Sequence, residues 1–117
     1  MSDDDLKRLT TAAEDAGHQT GRFVAQPHEQ DAIHVAIQAA GGVRGGRFMG
    51  SGYAWLDDLD LDNEDKWPTI AVELRKWVTP ELRVAFLIGV DREWTILDLK
   101  RRQGQRIDPP AWGLDKP

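Results

Sequence analysis

From Thr69 onward the apolar side chains fall on alternate positions. Ile70, Val72 and Leu74 share one side of an extended segment, with Thr69, Glu73 and Arg75 on the other, the period of a half-buried strand. Leu82, Val84, Phe86, Ile88 and Val90 repeat that period, and Trp94 to Lys100 reads as a further β-rich run. The links between these runs, Thr79-Pro80-Glu81 and Asp91-Arg92-Glu93, are short. Links of that size join antiparallel neighbours, because a parallel crossover needs about a dozen residues. Arg47 to Leu56 is less regular. It sets Phe48 and Ala54 against Met49, Tyr53 and Trp55, with Gly46, Gly50 and Gly52 at points of bending.

The first 42 residues follow a helical period instead. Ser2 with Asp5 three residues later resembles a capping box, and Leu6, Leu9, Ala13 and Ala16 form a thin stripe on a helix from Asp3 to Ala16, with Gly17 as its stop. A second helix is predicted from Pro27 to Gly41-Gly42, with Ala32, Ile33, Ala36, Ile37 and Ala40 on one face. Residues 18–26 read as connection, with a short strand over 22–26 left open. Residues 103–117, which include Pro109, Pro110, Trp112 and Pro117, read as an extended tail. The expected fold is therefore one α+β domain. Two N-terminal helices (1–42) cover one face of a three- to four-stranded antiparallel meander (46–102), and the tail follows.

Composition narrows the chemistry more than the fold. The 117 residues contain no Cys, which excludes disulfides, thiolate nucleophiles and cysteine-ligated metals. The acidic start MSDDDLKRL is unlike a signal or transit peptide, and Val84 to Val90 is too short to span a bilayer, so a cytoplasmic location is expected. The net charge of −5 arises entirely before residue 67, beyond which basic side chains slightly outnumber acidic ones. Nucleic acid is a poor partner for such a chain unless its later basic residues, chiefly Lys100 to Arg102 and Arg106, gather on one surface.

The densest chemical signal is the acidic run Asp57, Asp58, Asp60, Asp62, Glu64 and Asp65. A calcium loop needs Gly at its sixth position and Glu at its twelfth. Counting from Asp58 these are Asn63 and Thr69, and from Asp60 they are Asp65 and Ala71, so no metal site is assigned. Glu73-Leu74-Arg75 on its strand resembles the acidic-x-Lys triplet of magnesium-dependent nucleases. With Asp57 and Asp58 it offers a nuclease or phosphoesterase alternative, weakened because Arg75 cannot give up a proton near neutral pH. The glycine-rich stretch 41–47 follows a helix rather than preceding one, unlike a phosphate loop, yet its Arg44 and Arg47 are candidates for a small anionic ligand. His18, His28 and His34 show no metal-ligand spacing; Asp31 and His34 lie one helical turn apart and could pair.

If the helices cover one face of the sheet, Trp55, Trp77 and Leu87 are left on the other. Together with Asp57, Asp58, Asp60 and Asp62 they form the expected partner-binding surface. The leading expectation is a non-enzymatic interaction domain, an inhibitor, immunity-type or accessory protein. It would meet a partner with a basic surface, or pair with itself through the sheet, and needs no cofactor.

Overall fold

The computed structural model describes residues 2–45 and 47–104, and about two thirds of these described residues are helical. The first helix, α1 (Asp3–Phe23), begins where expected. Ser2 Oγ accepts the Asp5 N–H at 3.2 Å, and Asp3 to Asp5 occupy the first turn, where the helix dipole favours negative charge. It does not stop at Gly17. Gly17 lies against the last helix, α5 (Pro80–Arg102), and a Cβ there would overlap the carbonyl oxygen of Phe86; a Cβ on Gly89 would overlap that of Glu14. The glycine signals backbone contact between helices rather than a terminus. Gly17 sits over Phe86 and Gly89, and Gly21 over Val90 and Glu93, so the two helices run parallel.

α5 replaces two predicted strands and the turn between them. Thr79 Oγ1 accepts the Leu82 N–H at 3.3 Å, and Pro80 takes the first turn. Every residue from Val84 to Val90 is buried. A helix covered on all sides carries no amphipathic period, so alternation can be traced through its unbroken apolar run as easily as a helical face. Asp91 and Glu93, read as turn residues, are buried in mid-helix and bonded to neighbouring helices.

The other strands are corrected in the same way. Ile70 to Leu74 is a short helix, α4, with Ile70, Ala71 and Leu74 buried and Val72 44% exposed. A strand would have buried Val72 and turned Ala71 outward. Residues 47–56 divide into β2 (Arg47–Phe48), which pairs antiparallel with β1 (Val43–Arg44), and the short helix α3 (Ala54–Asp58). This two-stranded hairpin is the one sheet among the described residues, so the expected meander is not formed and neither is the sheet face proposed for self-pairing. Residues 22–23 end α1 and 24–26 form the link. The predicted tail lies outside the described residues from 105 onward.

α2 (Pro27–Ala40) matches its expected span, and Gly41, at φ +141°, ends it. Ile33 and Ile37 are its buried apolar positions, and Asp31 meets Trp94 while His34 meets Asp91, so it runs antiparallel to α5. One buried cluster unites Ala13 of α1, Ile33 and Ile37 of α2, Leu56 of α3, Ile70 and Leu74 of α4, and the middle of α5. Among the described residues, no helix is long and apolar enough to cross a membrane.

Candidate functional site

The acidic run is held in place by its own short-range bonding. The Asn63 side-chain oxygen accepts the N–H groups of Asp65 (3.0 Å) and Lys66 (3.2 Å), while its amide donates to Asp60 Oδ2 at 3.1 Å. Buried Leu61 anchors the segment from one side. Buried Trp67 does so from the other, its indole N–H donating to the Leu59 carbonyl at 2.7 Å. These anchors set Asp57, Asp60 and Asp62 around an open groove of about 420 Å³, shared with Tyr53, Val78 and Arg83 at the start of α5. Val78 is 76% exposed and Tyr53 42%. Arg83 donates from Nε to the Trp77 carbonyl at 2.9 Å and places a terminal nitrogen 3.5 Å from Asp62, so among the described residues Asp57 and Asp60 have no ion-pair partner in the groove.

The predicted partner surface is only partly assembled. Asp57, Asp60 and Asp62 are together, and exposed Asp58 ends α3 outside the groove lining. The aromatic half is not formed as expected. Leu87 is wholly buried in α5, Trp55 is half-buried with its ring 5.4 Å from that of Phe48, and Trp77 is half-buried in the link before α5. Tyr53 and Val78 supply the exposed apolar character instead.

The nuclease triplet loses its strand. Glu73 lies on α4, 3.3 Å from Lys76, and Arg75 pairs with Glu64. Among the described residues, no group of three His, Asp or Glu could hold a metal ion. Arg44 and Arg47 are cross-strand partners beside the hairpin turn and both are exposed. Neither guanidinium has an ion-pair partner among the described residues.

A second polar centre forms where α2 crosses α5. His34 Nδ1 lies 2.6 Å from Asp91 Oδ1, and the His34 ring stacks on Trp94 at 3.6 Å and 10°. The Trp94 indole N–H donates to Asp31. Asp31 thus pairs across the interface rather than with His34 on its own helix. Asp31 and His34 are spaced i, i+3, as are Asp91 and Trp94, so the acid of each helix meets the aromatic ring of the other. That matched spacing, with charges interrupting an apolar run, was the available sequence signal. Burial raises the Asp91 carboxyl above its ordinary value, against the lowering effect of the hydrogen bond and charge of His34. An open groove of about 470 Å³ lies alongside, lined by His34, Gln38, Val43, Thr95, Leu99 and Arg102.

On the opposite side of α5, buried Glu93 takes two partners from α1, His18 Nδ1 at 3.1 Å and Arg22 at 3.4 Å. Against models of protein families, curated proteins and solved structures the chain has no match.

Proposed function

We propose that this chain is a protein-interaction domain, of the inhibitor, immunity or accessory kind, that binds a basic partner protein at the acidic groove beside the start of α5. One observation carries the reading: exposed Tyr53 and Val78 share a groove with Asp57, Asp60 and Asp62, held in position by the Asn63 and Trp67 bonds. Apolar contact rimmed by charge of one sign is the usual composition of a docking surface, with the apolar part giving residence and the charge giving encounter rate and selectivity. The fit is to a protruding apolar side chain flanked by Lys or Arg. The test is to capture partners from extract of the source cells, purify the best, and measure its affinity for wild type and for D57N/D60N/D62N. Support is a Kd below about 10 μM that weakens at least about tenfold in the variant and falls with added salt. Equal binding by the variant overturns the assignment of the groove.

A second reading has its own observation. Arg44 and Arg47 stand opposite each other across the hairpin, exposed and without carboxylate partners among the described residues. Like charges directly opposite on paired strands repel, and a shared anion would relieve that cost. NMR titration with inorganic phosphate should shift the hairpin amides of wild type and leave those of R44Q/R47Q unmoved; no shift in wild type removes this reading.

A further inference from the structure

The two carboxylates that α5 buries, Asp91 and Glu93, have unequal partners. Glu93 is answered from α1 by the Arg22 guanidinium as well as by His18. Asp91 has one cationic partner among the described residues, His34 of α2. The side chain of Asp91 is 5% exposed and that of His34 23%, so water does little to compensate the carboxylate. The other charged groups near His34 are committed elsewhere. Asp31 on its own helix binds Trp94, and Asp98 and Arg102 on α5 pair with each other at 2.9 Å.

We propose that His34 and Asp91 form a proton-operated latch that holds α2 and the wall of its groove against α5. Closed, the pair holds one proton between imidazole and carboxylate, and the ring lies stacked on Trp94. When that proton leaves, a buried carboxylate faces a neutral ring and the contact weakens. Imidazole is the side-chain type whose ordinary titration falls in the physiological range. The raised Asp91 carboxyl acts in the same direction, because burial makes the folded chain hold protons that the unfolded chain releases. The Glu93 cluster, neutralised by Arg22, serves as an internal control. This inference is independent of the acidic groove and of its partner.

Urea-unfolding midpoints and tryptophan emission, followed between about pH 5.5 and 8, test the latch in the full chain. Wild type should lose stability as pH rises, by no more than about tenfold in the folding constant per pH unit for one proton. Its emission should rise over the same range as the protonated ring that quenches Trp94 is lost. H34Q should flatten both curves, while H18Q should keep the wild-type slope. D91N provides a second route should H34Q not fold, and should also flatten the stability curve. A pH-independent wild type, or the wild-type slope retained in both H34Q and D91N, overturns the latch.

Discussion

The carboxylate of Glu29 accepts three backbone N–H groups, those of Gln26 (3.1 Å), Thr69 (3.1 Å) and Ile70 (3.0 Å). It completes the capping box of α2 and ties the start of α4 to it, from a position with no solvent exposure. Replacing one oxygen by an amide turns an acceptor into a donor aimed at donors. Glu29→Gln should therefore cost about 2 kcal/mol or more in chemical denaturation, far beyond the change expected of a surface substitution. Asp91 has the opposite balance. Burial raises its pKa above 3.8, so its protonated form is favoured by folding. Its contribution to stability is fully present below the unfolded value and is lost as pH rises through the folded one. Asp91→Asn removes the charge but keeps the shape. It should equal or exceed wild type in urea midpoint at pH 7 and lose that advantage as pH approaches 4; a large loss at pH 7 would contradict the sign.

Among the elements, α1 and α5 depend on two glycines to approach. Gly17→Ala gains helix propensity worth about 1 kcal/mol but drives a methyl into the Phe86 carbonyl, a backbone atom that can yield only if the helices part. A net loss on the order of 3 kcal/mol is expected. At Gly21 the nearest atoms lie 3.2 to 3.4 Å from an added Cβ, so Gly21→Ala should change stability by less than about 1 kcal/mol. Comparing the two melting temperatures tests the crossing itself. The same crossing explains why Gly17 misleads as a stop: a helix-ending glycine and a helix-contact glycine look alike until the partner helix is known. α5 misleads for a related reason. Val84 to Val90 is apolar at every position but Gly89, and only the burial of all sides distinguishes a central helix from a strand. α2 was readable because its start, its end and its Ile33 and Ile37 spacing are local properties.

Across the whole molecule, parallel packing of α1 and α5 brings acidic first turns to one end. Leu6 and Thr10 of α1 and Glu81 of α5 line one depression with Tyr53, next to the groove holding Asp57, Asp60 and Asp62. Arg22 and Lys100 to Arg102 lie in the last turns at the other end of the pair. Far-UV circular dichroism should show a spectrum dominated by helix; one dominated by β-structure would contradict the fold. By itself the sequence determined the absence of thiol chemistry, the start of α1, the span of α2, the excess of acid before residue 67 and the run that rims the groove, because composition and capping depend on near neighbours. Tertiary structure decided that the C-terminal half is helical, that Trp55, Trp77 and Leu87 form no bare face, and that His34 meets Asp91. The reason is that burial on all sides erases periodicity, and a contact 57 residues apart in the chain is chosen only when two helices cross.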